Sequence, residues 1–291
     1  MKIESLKPYT FSEIFQLAKL SIGRRLVKSV PEELKSMNYF LGFLNYKGVI
    51  PQIVKDSIFF EYNINNTPFY IYLKTKSSDI DVFNQIILNN EYKSVVKIIN
   101  KYNIPCTTML DAGANIGLAS IYFKSQFPKL NIIALEPSVT TFKRLERNIN
   151  KLEGIRGLKK GIWSHSTYLS ADTSFRDGRD WAFKLIETSQ KVNDTFEVVS
   201  IFDVISEFKL DHIDVLKIDI EGGEESVFSV ESNIDWLKKV RLIAIEIHDE
   251  FNCRDHIENM LLKFGFILSY SGELTIGINK NLLTEVLPIS K

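Results

Sequence analysis

Several features that mark specialised classes of protein are scarce or missing in this sequence. Only two cysteines occur, Cys106 and Cys253, so we expect neither a disulfide scaffold nor a cysteine-rich metal site. The 14 glycines and 8 prolines among 291 residues exclude collagen-like and low-complexity composition. No apolar run approaches the roughly 18 residues of a membrane span, and the first residues lack a signal peptide's apolar core. We therefore expect a soluble globular protein in the cytoplasm.

An excess of charge of one sign is also missing. Lys and Arg number 36, as do Asp and Glu, and this balance argues against a dedicated nucleic-acid-binding protein. The stretch Phe11–Val30 predicts a basic amphipathic helix, with charges at Lys19, Arg24, Arg25 and Lys28. Such a helix either contacts an anionic membrane peripherally or presents a solvated face. The sequence leaves the oligomeric state open.

From about residue 106, short β-rich segments alternate with amphipathic helices. This alternation predicts an α/β fold with a mostly parallel, doubly wound sheet, and we take 106–291 as its domain. The predicted strands are Cys106–Leu110, Asn131–Leu135, Gly157–Trp163, Phe196–Ser200, Ile213–Ile220 and Arg241–His248, with a final hairpin of Phe266–Tyr270 and Leu274–Asn279. Residues 1–105 read as an α+β appendage that covers the substrate site of this domain, with a hairpin formed by Ser57–Asn63 and Phe69–Lys74.

A glycine-containing turn, LDAGANIGLAS, follows the first of these strands and opens a helix. Glu136 follows the next strand, where a carboxylate can accept hydrogen bonds from both hydroxyls of a ribose. The spacing Gly113-Ala-Asn-Ile-Gly117 does not match the G-x-G-x-x-G pattern of dinucleotide sites. An acidic Asp111 beside the turn also suits a cationic ligand, so S-adenosylmethionine fits better than a pyrophosphate. The alternative is an ordinary β–α turn in which Asp111 caps the helix.

A second dense segment, DVLKIDIEGGEE, predicts a strand end and the start of a helix. Side chains alternate along a strand, so Lys217, Asp219 and Glu221 share one face. Glu246 and His248 share a face of the next predicted strand, and the two groups could converge for general-base chemistry. The catalytic candidates are Asp219, Glu221, His248 and Lys217; Glu246 and Glu224 are substrate candidates; and Asp219, Glu246 and His248 could hold a divalent cation, although no metal site is assigned.

Each of these assignments has a structural alternative. Lys217 could simply form an ion pair with a neighbouring carboxylate. Glu224 could complement the dipole of the helix it begins. His248 could be a hydrogen-bonded loop anchor at the end of its strand.

In order and spacing, LDAGANIGLAS, IIALEPS, DVLKIDIEGGEESVF and IAIEIH resemble the FkbM family of S-adenosylmethionine-dependent methyltransferases over about residues 106–270. The resemblance implies a Rossmann-like seven-stranded sheet with an antiparallel last strand. It also implies O-methylation of a sugar hydroxyl in a cell-surface glycan or glycolipid, or of a similar small polar acceptor. The implied cofactor residues are Asp111, Gly113, Ala114, Asn115, Gly117, Glu136, Trp163 and Asp219. Trp163 would border the adenine. Arg179 and Trp181 would form a substrate wall, unless their loop is merely solvated.

Two other functions remain open at this point. A nicotinamide-dependent sugar oxidoreductase would share the sheet and the acid at Glu136, but usually carries a Tyr-x-x-x-Lys pair that the catalytic region lacks. A non-catalytic binding module would have kept only the fold. Idle carboxylates at two strand ends argue against it, because burying an uncompensated charge is costly.

Overall fold

The computed structural model describes residues 32–75, 77–172, 184–188, 195–229 and 232–283. The chain divides into two compact units, of which the first ends at Asn90 and the second begins at Glu91. Helix α3 (Lys93–Lys101) therefore goes with the second unit, whereas the sequence boundary at residue 105 had placed it in the first. The predicted helix Phe11–Val30 and the residues Arg179 and Trp181 lie outside the described residues.

The first unit combines helices with a small antiparallel sheet. Its elements are helix α1 (Glu32–Tyr46), strands β1 (Gln52–Val54), β2 (Ser57–Ile64) and β3 (Thr67–Lys74), and helix α2 (Asp79–Phe83), which continues as a π-helical turn over Asn84–Leu88. Asn65 and Asn66 have φ of +50° and +63°, which suits a tight hairpin turn between β2 and β3. The predicted hairpin is thus confirmed.

A seven-stranded sheet forms the centre of the second unit. Its strands are β4 (Thr108–Ala112), β5 (Asn131–Leu135), β6 (Ile155–Leu158), β11 (Ile213–Ile218), β12 (Val240–Glu246), β13 (Phe266–Ser271) and β14 (Leu274–Asn279). The order across the sheet is β13-β14-β12-β11-β4-β5-β6. Only β14 runs antiparallel to its neighbours. The mostly parallel sheet and its antiparallel last strand are confirmed.

The described residues of the second unit form six α-helices, of which two begin at a side-chain cap. They are α3, α4 (Leu118–Gln126), α5 (Val139–Ile149), α6 (Ile201–Glu207), α7 (Glu224–Val227) and α8 (Arg254–Lys263). Ser138 caps α5 by accepting the Thr141 amide, and Ser200 forms a capping box with Asp203 at α6. None of the helices in the described part of the chain is long and apolar enough to cross a membrane.

Apolar strands form the core of this unit. Every residue of β11 and β14 is buried, as expected for strands covered on both faces. Trp236, Ile257 and Leu261, from a 3₁₀ turn over Ile234–Lys239 and from α8, join the same apolar cluster. The carboxyl ends of β4, β5, β11 and β12 consequently lie side by side at one edge, because these strands are parallel and adjacent.

The prediction of one strand over Gly157–Trp163 is wrong. The main sheet uses Ile155–Leu158, and a second four-stranded sheet begins at β7 (Gly161–Ile162). This sheet also contains β8 (Thr167–Asp172), β9 (Lys184–Thr188) and β10 (Thr195–Val199), in the order β7-β10-β8-β9. The chain leaves the main sheet at the two lysines that follow β6. The second of them, Lys160, forms an ion pair with Glu197 of β10 at 2.8 Å.

Candidate active site

The glycine turn after β4 is held in place from two sides. Gly113 has φ of +77°, and a Cβ added there would collide with the carbonyl oxygen of Asp219. The turn thus touches the backbone beyond β11, a contact that only glycine permits. The amides of Gly113 and Ala114 both donate to the Leu135 carbonyl, at 3.1 and 2.8 Å. These bonds fix the turn between β11 and β5.

Lys217 lies beneath this turn with a side chain only 3% exposed. Its Nζ donates to the Gly113 carbonyl at 2.6 Å and lies 3.5 Å from Asp111 and 3.4 Å from Asp219. Burial alone would lower the pKa of Lys217, but the charges of Asp219, Tyr92 and Asp111 raise it overall. The lysine therefore stays protonated in the ion-pair arrangement considered above as its structural alternative.

Asp111 is fully buried beside that lysine. Its Oδ2 accepts a hydrogen bond from Ser120 Oγ of α4 at 2.6 Å. Its Oδ1 has no hydrogen-bond partner among the described residues. This oxygen is the one that lies 3.5 Å from the Lys217 ammonium, so the ion pair compensates its charge without a hydrogen bond.

Glu136 lies directly beyond β5 and is 9% exposed. Its Oε1 accepts the Ser138 amide at 2.9 Å. Burial raises the pKa of Glu136 to about 7, although the backbone amides of Ser138 and Asn115 oppose the shift. The carboxyl group therefore changes charge near neutral pH, at the edge where Asn115 and the glycine turn also lie.

A histidine and three carboxylates gather beyond β11 and β12. His248 Nδ1 lies 2.9 Å from Glu224 Oε1, and its Nε2 lies 3.5 Å from Glu221 Oε2. The hydrogen bond to Glu224 raises the pKa of His248 to about 9, against the effect of burial. Burial, reinforced by the charge of Asp219, raises the pKa of Glu246 to about 7.

A cavity of about 410 Å³ adjoins this group. Glu246 and His248 line it, together with residues that follow them and with the hairpin turn between β13 and β14. Arg254 also lines it, but its guanidinium is held by Asp249 at 2.6 and 3.1 Å. The cavity wall is thus polar and rich in carboxylates.

Most of the predicted site residues come together at this edge. The ligand atoms of Asp219, Glu221 and His248 lie within 4.8 Å of one another, so Glu221 takes the place expected for Glu246 in a cation-binding trio. Trp163 lies just beyond β7 in the small sheet, where its indole donates to Glu187 at 2.6 Å.

Sequence reasoning missed several residues of the site. Ser120 faces Asp111 one turn into α4, which the short hydroxyl side chain alone does not signal. Tyr92 is buried close enough to Lys217 to affect its pKa, and no local pattern indicates this. Glu273 could have been found, because Glu246 pairs with Leu274 and an antiparallel last strand begins where β12 ends.

The glycine turn, the acid after β5 and the acidic segment after β11 also match a family model. Residues 111–268, more than half of the chain, match the model described as the methyltransferase FkbM domain. The chain belongs to this family. The resemblance seen in the sequence is confirmed, and methyltransferase chemistry is favoured over a nicotinamide-dependent oxidoreductase.

Individual relatives are more distant. The chain is 29% identical over 198 residues to the methyltransferase sdnD of Sordaria araneosa, covering 56% of this chain and 75% of that one. It is 28% identical over 146 residues to the hexuronic acid methyltransferase AglP of Haloferax volcanii, covering 50% and 57%. Across the curated relatives it matches, the chain covers from 10% to 75% of their length. Among solved structures, the METTL16 methyltransferase domain aligns with a TM-score of 0.45 at 11% identity, covering 95% of this chain and 94% of that one.

Proposed function

We propose that this protein is an S-adenosylmethionine-dependent O-methyltransferase acting on a hydroxyl of a sugar or of a similar small polar acceptor. The observation that carries the proposal is the convergence of the glycine turn, Glu136 and Asp219 at one edge of the sheet. This edge lies beyond the carboxyl ends of β4, β5 and β11, where doubly wound sheets bind nucleosides. The acidic lining suits a ligand with an ammonium and a sulfonium group.

In this proposal, different residues contact the ribose, the adenine and the methionine part of the cofactor. Glu136 accepts hydrogen bonds from the ribose hydroxyls, and Trp163 borders the adenine. Asp219 and the turn residues Gly113 and Asn115 surround the methionine part. Lys217 holds Asp111 and Asp219 in position from below, so in this proposal its role is positioning and not proton transfer.

Methyl transfer itself is an in-line displacement. The acceptor oxygen forms a bond to the methyl carbon while the carbon–sulfur bond breaks, and the electron pair of that bond neutralises the sulfonium. The protein aligns the reactants and accepts the hydroxyl proton. Glu246 suits this task because its pKa of about 7 matches neutral conditions, whereas His248 remains protonated up to about pH 9.

The proposed acceptor class follows from the cavity and the relatives. Carboxylates such as Glu246 and Glu273 can accept hydrogen bonds from several hydroxyls of a sugar. One relative is described as a hexuronic acid methyltransferase, which supports a sugar acceptor. A role in glycan synthesis, a cytoplasmic location and the absence of a nucleic-acid substrate all belong to this proposal.

Titration calorimetry with S-adenosylhomocysteine, with NAD as a parallel ligand, tests the cofactor assignment. We expect micromolar binding of S-adenosylhomocysteine alone, weakened at least tenfold by Glu136→Ala. The matched control is Glu146→Ala, an exposed carboxylate on α5, which should leave the affinity unchanged. Binding of NAD alone would support the oxidoreductase alternative.

The acceptor needs a second experiment. Labelled S-adenosylmethionine would be incubated with a panel of neutral hexoses, amino sugars and hexuronic acids. Label on an oxygen of one sugar class would identify it, and label on nitrogen or on no sugar would contradict the proposed acceptor.

A further inference from the structure

Asp219, Glu221 and His248 form a compact group of metal-binding atoms. One oxygen from each carboxylate and one nitrogen of the imidazole all lie within 4.8 Å of one another. Metal–ligand distances of roughly 2.0–2.2 Å separate neighbouring ligand atoms by about 3–3.5 Å, so a small inward movement of flexible side chains would close the shell. Glu221 can make that movement, because its side chain is 69% exposed.

A buried carboxylate sets the orientation of the histidine. Glu224 is 0% exposed, and its Oε1 lies 2.9 Å from His248 Nδ1 and accepts the Ile220 amide at 3.3 Å. His248 Nδ1 faces Glu224 and Nε2 faces Glu221, so a metal ion bound at Nε2 would displace the proton carried there. Histidines that bind metals usually donate their other ring N–H to a carboxylate in this way.

The same buried carboxylate has one oxygen left over. Glu224 Oε2 has no hydrogen-bond partner among the described residues, although a fully buried carboxylate oxygen ordinarily has one. His248 lies within 3.5 Å of carboxylate oxygens of both Glu221 and Glu224, and Asp219 contributes a further oxygen to the same group of ligand atoms. Of the residues in this group, Lys217 lies within ion-pair distance of Asp219, at 3.4 Å.

We infer that Asp219, Glu221 and His248 Nε2 bind one divalent transition-metal ion, with Glu224 as the group that orients His248. A donor set of one imidazole and two carboxylates suits Mn²⁺, Fe²⁺, Co²⁺ or Zn²⁺ better than Mg²⁺, which prefers oxygen ligands alone. His248 also lines the cavity of about 410 Å³, so the ion would lie at the wall of the proposed acceptor site. An ion bound there would lower the pKa of an acceptor hydroxyl.

Metal binding is measured directly, without reference to activity. Full-length protein would be freed of metal with a chelator and titrated with Mn²⁺, while electron paramagnetic resonance follows the free ion. We expect one bound Mn²⁺ per chain with a micromolar dissociation constant. Glu221→Gln should weaken binding at least tenfold, and because that side chain is exposed, the variant should fold normally. The matched control is Glu225→Gln, an exposed neighbour on α7 outside the cluster.

A third variant tests the orienting role of the buried carboxylate. Glu224→Gln should weaken Mn²⁺ binding about 10- to 100-fold, the usual effect of losing such a partner. Glu224→Asp, which keeps the charge, should restore part of the affinity.

The outcomes separate this inference from the proposed function on which its catalytic role rests. No Mn²⁺ binding at millimolar concentration, or equal binding by wild type and Glu221→Gln, overturns the metal site. If S-adenosylhomocysteine binds normally in that case, the proposed methyltransferase function stands, and His248 is only an ion-pair partner of Glu221 and Glu224. Mn²⁺ binding without any S-adenosylhomocysteine binding would support the site and contradict the function.

Discussion

At the scale of single residues, the buried carboxyl group of Glu136 lowers the stability of the folded protein at neutral and alkaline pH. Glu136, to which we assign the ribose hydroxyls, is only 9% exposed, and burial raises its pKa from 4.5 to about 7. Because the folded-state pKa is raised, this carboxyl group does not oppose folding below about pH 4.5. Stability is then lost progressively until the pH has passed about 7.

We therefore expect Glu136→Gln to stabilise the ligand-free protein at alkaline pH. A shift of this size corresponds to about 3 kcal/mol when the group is fully ionised. The gain over wild type should be near zero at pH 4 and reach about 2–3 kcal/mol at pH 9, measured by urea unfolding at each pH. Glu146→Gln, an exposed carboxylate on α5, is the control. A gain for Glu136→Gln that does not depend on pH would contradict the assigned pKa shift.

The site residues that could be predicted from sequence are those whose positions follow from strand geometry. Asp219 and Glu221 follow β11, and Glu246 and His248 end the adjacent strand, so alternation and parallel pairing were sufficient to bring them together. Ser120 and Tyr92 could not be predicted, because their contacts with the Asp111–Lys217 pair depend on how helices pack on the sheet. The grouping of Glu221, and not Glu246, with the ligand atoms of Asp219 and His248 within 4.8 Å also depends on side-chain directions beyond the strand ends.

At the scale of elements, Lys217 joins the ends of β4 and β11. Its ammonium lies between Asp111 and Asp219 and holds the Gly113 carbonyl, so removing it leaves two carboxylates without a counter-charge below the glycine turn. Breaking a buried pair in this way typically costs about 3–5 kcal/mol.

Lys217→Met should therefore lower the free energy of unfolding by several kcal/mol at pH 7, measured by urea titration. Adding Asp111→Asn to the same chain should recover part of the loss, because it removes one of the uncompensated charges. Lys239→Met is the control, since Lys239 contacts only a carbonyl, at 3.3 Å, in the described structure, and should cost about 1 kcal/mol or less. A double variant no more stable than Lys217→Met alone would show that charge is not the cause.

The strands and hairpins that could be predicted from sequence end at recognisable turn residues. The pairing of the strands in the small sheet has no such marker in the sequence. The β4 and β5 strands end at a glycine turn and at Glu-Pro, and the hairpins turn at Asn-Asn and Ser-Gly. The small sheet has no such signal, since β8 and β10 are separated by more than 20 residues and pair only once the chain has folded. The ion pair between Lys160, just after β6, and Glu197 of β10 likewise depends on the folded chain and is not signalled by either segment alone.

At the scale of the whole molecule, the chain divides after Asn90, and all of the residues to which we assign a function follow that division. Every group assigned to the cofactor, to proton transfer or to the cation lies in the second unit, which also contains the complete seven-stranded sheet. The first unit has its own aromatic core, in which the rings of Phe40, Phe60 and Phe83 lie 5.4–5.7 Å apart. The cavity that we propose for the acceptor is also lined by residues of the second unit.

We expect a chain beginning at Glu91 to bind S-adenosylhomocysteine with a dissociation constant within about threefold of the full-length value. Calorimetry measures the affinity, and a single cooperative urea transition establishes that the shortened chain is folded. The sequence analysis expected residues 1–105 to cover the acceptor site, and if those removed here are part of that cover, turnover of the sugar acceptor should fall much more than cofactor affinity. A folded fragment that has lost the affinity would place part of the cofactor site in the first unit, and an unfolded fragment would show that the two units fold as one. Only the folded fragment without affinity would contradict the assignment of cofactor binding to the seven-stranded sheet and its strand ends.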